Sequence, residues 1–240
     1  MRPVTRHARG CIAAAVAMTV GVLALTLAAL ALGAFTQVAK VTLTAHRSGR
    51  STGVTVYVAA SDPTAHQPRS VRRLVITFPA GTRFDLASTR LKTCRLTDKQ
   101  LTTAFGPVCP RASRVGTGTV SNSISNGFPL SADAAHVSAY DRGTNRLVLV
   151  VRPVLSSLPV EIIHASVSGA KLTIVVPRLI YGKLAKVVLA SLKLFVPALG
   201  SGHDALITVG RCTKGKFTFR ERFTYADHAP VELGSSSACT

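Results

Sequence analysis

The chain contains no tryptophan, and aromatic residues make up only 5% of its 240 positions. A core must therefore be filled by Val, Leu, Ile and Thr, which suit strands better than helices. Acidic residues are scarce as well: ten Asp and Glu stand against 29 Lys and Arg, a formal net charge of +19. No Asp-x-Asp occurs, and Glu161, Glu221 and Glu232 lie far apart, so neither a calcium loop nor a glycosidase carboxylate pair is signalled by spacing. Zinc signatures are missing too, since there is no Cys-x-x-Cys, His-x-His or His-Glu-x-x-His, and the histidines are scattered. No metal or cofactor is implied. The densest basic cluster, Arg69-Ser70-Val71-Arg72-Arg73, is short and runs straight into a strand pattern rather than forming a basic tail.

What is present begins with a leader. Residues 1–10 carry Arg2, Arg6 and Arg9 without an acid, and residues 11–34 carry no charge. A positive segment, an apolar run and small residues at Ala29-Leu30-Ala31 or Ala31-Leu32-Gly33 form the layout of a secretory signal peptide. The apolar run is also long enough to span a bilayer and stay attached as a signal anchor. Both readings put the body, residues 35–240, outside the cytoplasm as a single domain, either secreted or held at the membrane by the N-terminal segment. Cys11 falls within the apolar segment and lacks a lipidation context.

Four cysteines follow the leader: Cys94, Cys109, Cys212 and Cys239. An even number in an exported chain reads as disulfides. Of the three pairings, Cys94–Cys109 with Cys212–Cys239 is favoured because each closes a local loop, and in the loop-entropy picture each contributes roughly 3 kcal/mol.

Along the body, apolar and polar residues alternate as in half-buried strands. Strands are expected at 38–46, 53–59, 71–79, 115–121, 134–140, 146–152, 159–168, 171–177, 186–197, 205–209, 216–225 and 231–234. Asp141-Arg142-Gly143-Thr144-Asn145 and Ser168-Gly169-Ala170 are hairpin turns. The segment 183–196 is long enough for a helix, but its Leu192/Leu194/Val196 alternation favours a strand. One short helix is expected at Thr97–Phe105, capped by Thr97 or Asp98, inside an excursion closed by the first cysteine pair. The fold class is therefore all-β: a jelly-roll-like or Ig-like β-sandwich of about eleven to twelve strands.

Several motifs mimic chemistry. Gly49-Arg50-Ser51-Thr52-Gly53 matches a nucleophile elbow, but strands flank it on both sides and the required helix is missing. Ser168-Gly169-Ala170-Lys171 matches Ser-x-x-Lys, yet it reads as a hairpin turn rather than a helical one. Gly116-Thr117-Gly118 enters a strand, which suits a bulge or tight bend better than a dinucleotide loop. Phe217, Phe219, Phe223 and Tyr225 share one face of a strand, as core or as a sugar-stacking platform, with Arg220 and Arg222 on the opposite, solvent face.

Three stretches carry a resemblance: LVITFPAGTRFD; the segment ending CPRASRVGTGTV; and the C-terminal RCTKGKFTFRERFTYADHAPVELGSSSAC. Through Pro79 and Gly81, then Cys94, Cys109, Pro110, Ser113, Gly116 and Gly118, then Cys212, Gly215, Lys216, Phe217, Tyr225, Asp227 and Cys239, residues 70–240 resemble a family of exported proteins of high-GC actinobacteria. The chain departs at Phe217, where the family favours Trp, and at His228, where it favours Gly. The resemblance implies a secreted β-sandwich and the same two disulfides, and it carries no catalytic activity.

The expected function is a non-catalytic cell-envelope binding or structural protein. Its basic surface would draw it to anionic wall polymers or a membrane surface, without specific nucleic-acid recognition. The favoured reading of the charge itself is cations scattered over solvated faces, because no Lys/Arg-rich block occurs. Two rival functions are an extracellular hydrolase of polysaccharide with a site assembled from distant residues, and an interaction module anchored by an uncleaved leader.

Overall fold

The computed structural model describes residues 35–62, 69–87, 91–103, 108–125, 132–154, 159–177, 179–181 and 185–240. The leader, with its two expected fates, lies outside them. The strands are β1 (Thr36–Leu43), β2 (Val54–Ser61), β3 (Val71–Thr77), β4 (Arg83–Phe84), β5 (Arg114–Ser125), β6 (Ala132–Gly143), β7 (Arg146–Pro153), β8 (Glu161–Ser168), β9 (Lys171–Val175), β10 (Leu179–Tyr181), β11 (Ala185–Val196), β12 (Ile207–Thr208), β13 (Lys216–Tyr225) and β14 (Val231–Ala238). The one described α-helix is α1 (Asp98–Thr102). The ambiguous segment at 183–196 is a strand over its described length. The two- and three-residue strands β4 and β10 are too short to have left a periodic signal.

One antiparallel sheet runs β1-β2-β11-β5-β6-β7-β8-β9-β3-β13-β14, with β10 alongside β11 and a separate β12-β4 pair. Eleven strands in antiparallel succession leave the first and last pointing the same way. β1 and β14 do lie side by side in parallel, so the sheet wraps back onto itself. This junction is bridged by serine hydroxyls: Ser235 Oγ accepts from Val41 N at 3.2 Å, and Ser237 Oγ from Leu43 N at 3.5 Å. A backbone bond from Thr240 N to His46 O, 2.7 Å, closes its end. The serine hydroxyls thus satisfy two backbone N–H groups on the β1 edge, while β1 and β14 remain the two ends of the hydrogen-bonded ladder.

Across the interior, side chains of β2 and β11 meet those of β3, β9 and β13 around a residual cavity of about 20 Å³. The two layers of the sandwich are therefore halves of a single wrapped sheet. The inward phase of each strand supplies the core, from Val54, Val56 and Val58 of β2 to Phe217, Phe219 and Phe223 of β13. Phe78 packs edge-on against Phe84 at 5.0 Å and Phe219 at 5.5 Å. The aromatic set of β13 is thus core and not a platform, and a Phe→Ala change there costs about 3–5 kcal/mol.

The run Leu147–Val151 is apolar at every position because it is covered on both faces. Its outer side, Val148 and Val150, forms a second cluster with Cys94, Leu101, Cys109 and Val160 under the stapled excursion. There Thr97 Oγ1 accepts from Gln100 N at 3.3 Å while Gln100 Oε1 accepts from Thr97 N at 2.8 Å, a capping box that stabilises even one helical turn. Disulfides link Cys94 to Cys109, Cα–Cα 5.2 Å, and Cys212 to Cys239, Cα–Cα 6.0 Å. The second ties the start of the β13–β14 hairpin to the end of the chain.

Candidate polyanion-binding face

With the excursion covering the outer side of β6 to β8, the remaining outer surface of the sheet falls into two open faces. One comprises β8, β9, β3, β13 and β14. Its registers place residues in rows across the strands: Ser168–Lys171–Thr77–Arg220–Gly234, then Arg146–Ser166–Thr173–Val75–Arg222–Glu232, then His164–Val175–Arg73–Thr224. Strand spacing sets Arg222 roughly 7–8 Å from Arg220 and Arg73, Lys171 roughly 10 Å from Arg220, and Arg146 roughly 12 Å from Lys171. A depression of about 610 Å³ runs among Arg73, Lys171, Arg220 and Arg222, and it continues past Thr173 into one of about 310 Å³ beside Arg146 and His164.

The electrostatics are one-sided. Arg222 Nε lies 3.6 Å from Glu232 Oε1, with both side chains mostly exposed, which makes a weak, screened pair. Asp98 sits at the margin, taking Arg142 Nη2 at 3.2 Å and His164 Nε2 at 2.9 Å. Among the described residues, Arg73, Arg146, Lys171 and Arg220 have no carboxylate partner. Threonine hydroxyls at 77, 173 and 224 lie between them. The face can hold anionic groups by charge and hydrogen bonding.

Three of the ten acids are withdrawn from the surface, which sharpens this imbalance. Glu161, at the start of β8, faces inward, and burial pushes its pKa up to about 7. Glu221 is fully buried on the core side of β13, between the outward Arg220 and Arg222. Its Oε1 accepts from Ser235 Oγ at the β1–β14 junction, its Oε2 has no hydrogen-bond partner, and burial raises its pKa. Asp141 caps the β6–β7 turn by accepting from Gly143 N at 2.8 Å, and burial raises its pKa as well. By register, Asp141 lies opposite Leu147 and Glu161 opposite Val151, four residues apart along β7, roughly 13 Å.

The motif look-alikes are structural. Ser51 pairs with Thr208, and its hydroxyl donates to Gly200 O at 3.1 Å. Ser168 and Lys171 face each other as the closing pair of the β8–β9 hairpin. The register of β5 against β6 shifts between Arg114 and Gly116, a bulge as expected. A Cβ on Gly118 would fall 2.0 Å from Lys193 O, and one on Gly116 would fall 2.7 Å from Phe195 O, so these glycines let β11 approach. No group of three or more metal-ligating side chains occurs among the described residues. A hollow of about 810 Å³ sits at one end of the sandwich and is lined by Arg83, Arg211 and Asp85.

Of the basic cluster at 69–73, Arg73 reaches the face, whereas Arg69 lies 4.2 Å over the Phe35 ring and 3.7 Å from Asp62. Arg220 and Arg222 face solvent as their strand alternation predicts, whereas their union with Arg73 and Lys171 needs pairings between distant strands. Comparison of the chain with family models, curated proteins and solved structures finds no match. Among the described residues no helix is long and apolar enough to cross a membrane.

Proposed function

We propose that this is an exported, disulfide-stabilised, non-catalytic protein that binds anionic polymer of the bacterial cell wall through its arginine face. The observation that carries the reading is the cluster of Arg73, Arg146, Lys171 and Arg220, without carboxylate partners, on one depressed sheet face. The leader and the two disulfides support an oxidising destination outside the cytoplasm. Binding needs no catalytic group, because long-range attraction and many exchangeable contacts suffice for a polyanion.

Co-sedimentation of the protein with purified bacterial cell wall tests this. Binding should be strong at about 50 mM salt and largely lost at about 500 mM, where the screening length falls to a few ångströms. Absent or salt-indifferent binding overturns the reading, as does a preference for vesicles of anionic lipid over wall. N-terminal sequencing of the mature protein tests export directly: a start near residue 34 marks a cleaved signal, and an intact N-terminus in the membrane fraction marks an anchor.

A further inference from the structure

We infer that the second open face, on β1, β2, β11 and β5, is a glycan-stacking site for a sugar polymer bearing acidic groups, with Tyr57 and Phe195 as its platform. Among the residues whose side chains are described these are the exposed aromatics, at 38% and 42% exposure; Phe35, Phe78, Phe84, Tyr140, Phe217, Phe219, Phe223 and Tyr225 are buried or packed against one of the two clusters. Both stand on the polar phase of their strands. In β2, Val54, Val56 and Val58 turn inward and leave Tyr57 outside; in β11, Leu192 and Leu194 turn inward and leave Lys193 and Phe195 outside. Nothing in the core requires an aromatic at either position.

The registers bring the two rings together. Tyr57 pairs with Lys193 and Phe195 with Thr55, so the rings are diagonal neighbours on adjacent strands. The row through Tyr57 reads Lys40–Tyr57–Lys193–Thr119–His136–Arg152, and the row through Phe195 reads Thr42–Thr55–Phe195–Thr117–Ser138. No acidic residue lies in either row. Gly116 and Gly118 hold β11 close to β5, which fixes the strand that carries Lys193 and Phe195.

This composition selects the ligand. An exposed ring offers a flat apolar surface to the C–H face of a sugar, and Tyr keeps a polar tip in water. The neighbouring threonine hydroxyls can donate to and accept from sugar hydroxyls, while Lys40 and Lys193 complement a carboxylate or phosphate on the same polymer. Two rings set among short polar side chains make too small an apolar area for a stable protein interface, which needs roughly 800 Å² per partner with an apolar centre. The site lies on a different face from the arginine cluster and adds recognition of the sugar ring to recognition of charge.

The test pairs a sugar polyanion with one that has no rings. Polygalacturonate and inorganic polyphosphate are titrated against the wild type, Tyr57→Ala/Phe195→Ala and Arg73→Gln/Arg220→Gln. The aromatic variant should bind polygalacturonate about tenfold more weakly and keep its polyphosphate affinity, as expected for loss of a contact centre. The arginine variant should lose polyphosphate. Phe195→Trp places the chain's single tryptophan on the platform, and its emission should shift with polygalacturonate and not with polyphosphate. Unchanged polygalacturonate binding by the aromatic variant, an equal loss for both polymers, or a tryptophan blind to polygalacturonate overturns the inference. Retention of polyphosphate by the arginine variant instead overturns the arginine-face reading alone.

Discussion

The two open faces are built from the same sheet by the same alternation, yet they present different side chains. On β9, β3 and β13 the outward phase is Lys171, Arg73, Arg220 and Arg222 between threonines. On β2 and β11 it is Tyr57, Lys193 and Phe195 between threonines. The inward phases are alike, Val, Leu, Ile and Phe. The fold therefore leaves the outward phase free to vary, and under the proposed reading one face recognises charge and the other charge together with a flat ring. The β1–β14 junction separates them, and the stapled excursion divides them on the other side.

The sharpest way to break this pairing is Gly118→Val. Its side chain would collide with the backbone at Lys193, so β11 must move away from β5, at a cost of about 3 kcal/mol or more in urea unfolding. Molecules that remain folded should lose the ring-dependent part of polygalacturonate binding and keep polyphosphate binding.

The frame shared by both faces has its own pH dependence. Glu161 has its pKa raised from 4.5 to about 7 by burial, so the folded chain holds this proton more tightly than the unfolded chain. Unfolding free energy should therefore be highest below pH 4.5 as far as this group is concerned, fall as pH rises towards 7, and level off above it. The drop is at most about 3 kcal/mol. Glu221 and Asp141 shift in the same direction and add to the trend. Glu161→Gln should flatten most of it, as read by thermal unfolding between pH 4 and 8; an unchanged slope would show that Glu161 is not the titrating group.

Ser235→Ala removes the acceptor for Val41 N and the donor to Glu221 at the junction between the faces. A loss of about 1–3 kcal/mol and faster hydrogen exchange at the Val41 amide are expected. Glu232→Gln is the mildest change. It frees Arg222 from a weak exposed pair and should strengthen polyphosphate binding by about twofold without moving polygalacturonate stacking.

Much of the frame was legible in the sequence because burial imposes a period of two. The alternation of β13, the turns at Gly143 and Gly169, the stapled excursion and the Thr97 cap all follow from local physics. The faces were not legible as units. Arg73 meets Arg222's strand on one side and Thr173's on the other through pairings between segments about a hundred or more residues apart, and no local pattern encodes that register. The wrapping of the sheet depends on the same register and on Ser235 and Ser237, which read locally as a polar strand end. Tyr57 and Phe195 do carry a local signal, since each is an aromatic on the polar phase of its strand. The aromatics of β13, expected as core or platform, are core because their phase is the inward one.

The most direct test of the central claim compares two variants of equal net charge. Arg73→Gln/Lys171→Gln/Arg220→Gln removes three cations from the arginine face, whereas Arg95→Gln/Lys99→Gln/Arg111→Gln removes three exposed cations from the stapled excursion. Affinity for purified cell wall is measured for both at low salt. The face variant should lose about tenfold or more in affinity and most of its salt dependence, and the excursion variant should stay within about twofold of the wild type. Equal losses in the two variants would mean that net charge alone draws the protein to the wall, and would contradict a binding face.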